Sequence, residues 1–216
     1  KKEKGAKLLI AQHGGGYGAA KWFSNEDHEL KVADHFFSWG WRDKKSSSVI
    51  PLGIWIRNKF EKRNNYRQKN ALIVLGTSLR YSYKMYSETV SSQWINYFNE
   101  QCIFIRSLSD QLRSKLIVRL YPHDFGWNDE KRLKDIFPDV CLADPNRSMS
   151  KLSKESRVII STYNSTTFLE TLSKNIPTII FWDPKFWELR PGAIADFNKL
   201  KKVGILHDSP ISAADH

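Results

Sequence analysis

Cysteine is nearly absent: Cys102 and Cys141 are the only two in 216 residues. Neither lies in a C-x-x-C pair, so a disulfide framework and a structural zinc site are not expected, and a reducing compartment is the default. No apolar run approaches the roughly 18–20 residues of a membrane span. The opening KKEKGAK leads into an apolar stretch shorter than that of a secretory leader. Acidic residues are outnumbered, 23 against 34 Lys and Arg, for a net charge of +11. That excess favours anionic partners such as nucleotides, nucleic acid, acidic polymers or an anionic membrane surface. An initiating Met is lacking too, and the sequence ends on ISAADH, which reads as the start of a helix. A piece of a longer protein is expected.

What is present is a series of short apolar runs: LLIA (8–11), SVIPLGIWI (48–56), ALIVLG (71–76), KLIVRLYP (115–122), VIIST (158–162) and TIIFW (178–182). They are continuous rather than alternating, as in strands covered on both faces. Helical patterns separate them. Residues 86–104 carry an apolar stripe through Trp94, Ile95, Tyr97, Phe98, Cys102 and Ile103, and residues 165–174 place Phe168, Leu169 and Leu172 on one face before the Ile176-Pro177 turn. Strand–helix–strand alternation predicts an α/β fold with parallel, Rossmann-like sheets. The charged stretch RNKFEKRNNYRQKN (57–70) is the candidate boundary, with residues 1–60 closing one domain and 61–216 forming the next.

Glycines crowd one strand end. Residues 12–18 read QHGGGYG. Walker A is excluded because no hydroxyl residue follows Lys21. An esterase oxyanion loop of HGGG type needs a G-x-S-x-G elbow, which the sequence lacks, so an esterase fragment with its elbow elsewhere is kept only as a lesser alternative. Gly14-x-Gly16-x-x-Ala19 matches a dinucleotide fingerprint, with Asp34 about 20 residues on, but Asp34 precedes the run HFFSW rather than ending a strand. The remaining readings are a tight turn, or a loop made of Gln12, Gly14, Gly15 and Gly16 that lets substrate approach backbone, with His13 as the adjacent acid or base.

Three further strand ends carry polar groups. ALIVLGTSLR presents Gly76, Thr77 and Ser78; LIVRLYPHDFGW presents Arg119 and His123, a pair able to hold a phosphate. VIISTYNSTTFLE runs through Ser161, Thr162, Asn164, Ser165 and Thr166 into a helix, with Glu170 one turn in. Hydroxyls and free amides at a helix N-terminus form an anion site, and a carboxylate one turn on can accept ribose hydroxyls. Each also has a plain alternative, as turn, cap or solvated side chain. In NEDHELKVADHFFSWGW (25–41), Glu26 or Glu29 is a candidate general base or part of a charged helix face, and Trp39 and Trp41 stack on a sugar or pack in a core.

Together QHGGGYG, DHFFSWGW, STYNSTTFLETLSKNIPTIIFW and LRPGAIADFNKLKKVGILHDSP resemble a family of bacterial transferases of surface-carbohydrate biosynthesis. The resemblance spans most of residues 8–212. It implies a GT-B glycosyltransferase, two Rossmann-like domains with the active site between them, here with the N-terminal domain largely missing. More distantly, the PHD at 122–124 and the STYNST at 161–166 are similar to donor-site motifs of sialyl-, Kdo- and polyol-phosphate-transferases. By that similarity His123, Ser165 and Thr166 bind the donor phosphate, Glu170 the ribose, and His13, Glu26 or Glu29 deprotonates the acceptor. No D-x-D is present, which fits metal-independent transfer with no cofactor beyond the nucleotide-sugar substrate. The implied partners are a nucleotide-sugar and a glycan or lipid-linked glycan, at a cytoplasmic location peripheral to an anionic membrane. A nucleic-acid-binding α/β domain is the competing class, opposed by aromatics that fall inside apolar runs (Trp55, Trp94, Trp182).

Overall fold

A computed structural model describes residues 2–43, 46–54, 70–81 and 86–216. The candidate boundary at 57–70 lies outside the described residues except for Asn70, as do Trp55 and Ile56 of the second apolar run.

Two parallel sheets form. The smaller contains β1 (Leu9–Ala11), β2 (His35–Ser38) and β3 (Val49–Pro51) in that order, with helix α1 (Ser24–Val32) between β1 and β2. Its core is small and aromatic, Tyr17 and Phe36 stacking beside Val49. Asp34 accepts a hydrogen bond from the Leu8 amide at 2.6 Å and so clamps the entry to β1, a structural use for the residue that matched a dinucleotide fingerprint.

The larger sheet contains β4 (Asn70–Val74), β5 (Leu116–Arg119), β6 (Cys141–Leu142), β7 (Ser156–Ser161), β8 (Thr178–Phe181) and β9 (Leu206–His207), ordered β6-β5-β4-β7-β8-β9. All neighbours are parallel. This is the doubly wound Rossmann order, in which the chain reverses direction across the sheet between β4 and β7. Six helices follow β4: α2 (Trp94–Ser107), α3 (Asp110–Arg113), α4 (Asp129–Ile136), α5 (Met149–Glu155), α6 (Thr166–Ser173) and α7 (Pro191–Lys202); α8 (Pro210–Asp215) comes last, inside the ISAADH segment and its preceding residues.

The unbroken apolar strands have the predicted cause. In β4, Leu72 and Val74 join a cluster with Leu152, Ile159 and Ile176, while Ile73 and the following Leu75 join the main core on the opposite face. In α2 the predicted stripe is shifted. Ile95 and Ile103 are 40% and 38% exposed, and the buried face runs Trp94, Tyr97, Phe98, Gln101, Cys102, Ile105. That series follows i, i+3, i+4, i+7, i+8 spacing, which Gln101 conceals because it is polar. Trp94 and Trp182 are fully buried, so they pack the core rather than offer stacking platforms.

Candidate active site

In an open sheet of this order, ligands lie beyond the carboxyl ends of the strands where the winding reverses. Here that place is between the loops after β4 and β7, which carry Gly76-Thr77-Ser78 and Thr162-Tyr163-Asn164-Ser165. A chain of hydrogen bonds fixes both loops. The Gly76 amide donates to the Tyr97 hydroxyl at 2.6 Å, Tyr97 donates to Thr162 Oγ1 at 2.6 Å, and Thr162 donates to the Val74 carbonyl at 2.9 Å. Burial pushes the Tyr97 pKa up, so the relay keeps its proton. Thr162 and Ser161 are fully buried, and Ser161 bonds the Tyr163 carbonyl. Both are therefore architecture of the loop, not groups presented to a ligand.

The glycine loop lies against this region. The Gly15 amide donates to Thr166 Oγ1 at 3.1 Å, and a Cβ built on Gly15 would sit 2.2 Å from the Ser165 carbonyl carbon. Only glycine permits that approach. It also means that Gly15 makes room for the start of α6, where a sugar was expected, and that its amide is not a free oxyanion donor. The chain then crosses to the large sheet in a short antiparallel stretch. Ala20 bridges Leu189 and Phe23 bridges Tyr86, the Arg190 amide donates to the Ala19 carbonyl, and the Trp22 and Ser87 residues exchange hydrogen bonds.

A cavity of about 220 Å³ is lined by Gly14, Gly15 and Gly16 and by Gly76, Thr77, Asn164 and Ser165, with Tyr121, Tyr163 and Trp187 and also Phe23, Glu88, Thr89 and Tyr97 around it. Four buried polar atoms among these lining residues have no hydrogen-bond partner: Thr77 Oγ1, Asn164 Nδ2, Asn164 Oδ1 and Trp187 Nε1. Asn164 is only 6% exposed. Buried polar groups in folded proteins are nearly always paired, so unpaired ones on three residues that line one cavity make it the candidate place for a partner from outside the chain. At the N-terminus of α6 the Ser165 side chain makes no capping bond, so the first-turn amides have no side-chain cap.

The other expected site residues lie elsewhere. Gln12 is buried and fully used: Nε2 donates to the Gly14 carbonyl, and Oε1 accepts from the Trp39 amide and Trp41 Nε1. Trp41 packs on Gly18, which needs its positive φ, and on the Arg190 guanidinium. Glu26 is 2% exposed, accepting from the Gly18 amide and from Arg190 Nη2, both at 2.6 Å. Burial pushes its carboxyl pKa up, and those two donors pull it partly back. With both oxygens occupied, Glu26 ties α1 to the approach to α7. Arg119 donates to the Arg147 carbonyl and borders a separate open groove of about 870 Å³ beyond β5 and β6, with Tyr121 as the shared wall. His123 is exposed beside Tyr121. The structure thus separates Arg119 and His123 from Asn164 and Ser165 by the Tyr121 side chain. Ser78 Oγ is buried without a partner outside this cavity, and Glu170 pairs loosely with Lys174 at 3.9 Å along α6.

His13 is different. Its side chain is 62% exposed, and Nε2 lies 3.0 Å from Glu29 Oε1 and 2.7 Å from the Tyr17 hydroxyl, which in turn donates to Glu29 Oε2 at 3.0 Å. His13 precedes Gly14 of the cavity wall.

The family model of the LIC12162 family transferase matches residues 1–216. The chain belongs to this family. Among solved structures, MurG of Acinetobacter baumannii aligns with 99% of this family member at 14% identity and a TM-score of 0.45. The chain spans about 58% of the MurG chain. No curated protein matches it. Sequence reasoning missed Tyr121, Tyr163 and Trp187. Only the aromatic content of LYPHDF and WDPKFW pointed there, and aromatic residues are commoner in cores.

Proposed function

We propose that this transferase moves a sugar from a nucleotide-sugar donor to a glycan acceptor in bacterial surface polysaccharide synthesis, by a metal-independent mechanism of GT-B type. The observation that carries the proposal is the set of unpaired atoms on Thr77, Asn164 and Trp187, residues that line one cavity with Ser165 at the start of α6, where the winding reverses. The set mixes donors with acceptors, and the one charged residue among the described lining residues is the acidic Glu88. Such a surface suits the hydroxyls of one sugar ring. At about 220 Å³ the cavity is also below the roughly 300–1,000 Å³ of pockets for drug-sized ligands. The first-turn amides of α6 complement the adjoining phosphate and the negative charge that grows on the leaving nucleotide. The acceptor approaches past His13, which takes its proton. The net charge of +11 favours the anionic donor and a peripheral position at the cytoplasmic face of the membrane.

Thermal-shift measurement with CMP, UDP, GDP and their sugar conjugates tests this, because a ligand that binds only the folded state raises the melting temperature. One nucleotide class is expected to do so in the parent and to fail in Asn164→Leu. No shift with any of them, against a steep, salt-dependent response to single-stranded oligonucleotides, would point to the nucleic-acid class instead.

A further inference from the structure

The imidazole of His13 can carry its proton on either nitrogen, and the neighbouring oxygens decide which. Two polar atoms face Nε2, Glu29 Oε1 and the Tyr17 hydroxyl, and that hydroxyl also reaches Glu29 Oε2. The carboxylate oxygens only accept, and Tyr17 has one proton to give. If Nε2 were bare, its lone pair would face Glu29 Oε1 at 3.0 Å with no hydrogen between them, and Tyr17 would have to abandon Glu29 Oε2. If Nε2 carries the proton, it donates toward Glu29 and Tyr17, and Tyr17 donates to the second carboxylate oxygen. Every contact is then satisfied.

The geometry points to Tyr17 and Glu29 as positioning residues that together hold His13 with Nε2–H engaged and leave Nδ1 as the nitrogen that accepts the acceptor's proton. This rests on the proposed role of His13 as the base. Nδ1 has no partner among the described residues, and the ring is the exposed member of the group, whereas Tyr17 is 3% exposed and locked edge-on against both His13 and Phe23. Tyr17 keeps its proton: burial first, then the hydrogen bond to Glu29 and the charges of Glu29 and Glu26, pushes its pKa well above the usual range. As Nδ1 takes a proton, the imidazolium acquires a positive charge beside Glu29, which stabilises it.

The test is a ¹⁵N-histidine long-range ¹H–¹⁵N spectrum of the intact protein at alkaline pH, with His13 identified by its loss in His13→Gln. His13 is expected to show a directly observable Nε2–H proton and a bare Nδ1, while exposed His28 and His35 lose theirs to exchange with water. Tyr17→Phe, which keeps the ring packing, and Glu29→Ala, a helix-compatible change, should each weaken that signal, and the pair should abolish it. A His13 proton on Nδ1, or an Nε2–H that exchanges as fast as those of His28 and His35, overturns the proposal. The spectrum needs no turnover, so it is separable from the base role, which fails if His13→Gln transfers at the parent rate. In the full-length enzyme with the nucleotide-sugar selected by the thermal-shift panel, Tyr17→Phe should lower kcat about tenfold at unchanged KM, part of the 10²–10⁴-fold that general acid–base catalysis contributes. An unchanged kcat overturns the positioning role.

Discussion

On the glycine-loop wall of the cleft the buried polar side chains Gln12, Glu26 and Ser38 all have partners, whereas on the large-sheet wall Thr77, Asn164 and Trp187 do not. The two walls are similar in their sequences: each is a strand end followed by glycine, hydroxyl and amide residues. They differ in where the hydrogen bonds end. Those of the first wall end within the protein and fix the loop in place. Those of the second are unmade, on residues that line a cavity. A residue with unmet hydrogen bonding is exposed to selection by ligand, and one with every bond met is exposed to selection by stability.

That contrast can be broken by substitution. Glu26→Ala should have the largest effect, about 3 kcal/mol by urea denaturation, because it strands the Arg190 guanidinium and the Gly18 amide. If it costs nothing, the first wall is not held as described. Gly15→Ala should cost about 2 kcal/mol, since its methyl would enter the Ser165–Thr166 peptide and force the two walls apart. Thr162→Val should cost about 1–2 kcal/mol by leaving the Tyr97 hydroxyl without its acceptor. Asn164→Leu should cost almost nothing, or stabilise, while abolishing nucleotide binding, because an unpaired buried amide is replaced by an apolar group of similar size. A loss comparable with that of Thr162→Val would show that Asn164 belongs with the satisfied wall.

A third region calibrates both. Glu100 of α2 lies outside the cleft. Burial, then the charge of Asp183, pushes its pKa up to about 7 from 4.5, and the Asp183 amide pulls it partly back. The folded state thus holds the Glu100 proton more tightly than the unfolded chain does. Its contribution is present below about pH 4.5 and lost as pH rises through about 7. Glu100→Gln should flatten that slope in denaturation curves taken between the two values, with no change in ligand response.

The fold was readable because its cause is periodic. Continuous apolar runs at 71–76, 115–122, 158–162 and 178–182 became β4, β5, β7 and β8, since strands buried on both faces have no polar positions to interrupt them. The two-residue strands β6 and β9 were not readable, being too short to form a pattern. Of the site, Gly76, Thr77, Asn164, Ser165 and the three glycines 14–16 were anticipated and do surround one cavity. Sequence could not tell these from Thr162 or Gln12, which have the same chemistry but spend it internally. The difference lies in contacts such as Thr162 with Tyr97, 65 positions away, and Gln12 with Trp41, 29 away. The Tyr17–Glu29 brace on His13 was hidden for the same reason, since a turn of loop and a turn of helix bring together residues 12 positions apart.

The antiparallel bridges between residues 20–23 and 86–189 also bear on the order in which the protein assembles. Ala20 must find Leu189 across 169 positions, and Gly15 must find Thr166 across 151. Closing loops of that length is entropically costly and cannot precede the sheets that position both ends. The glycine loop therefore takes its final shape only after β7, β8 and α6 are in place.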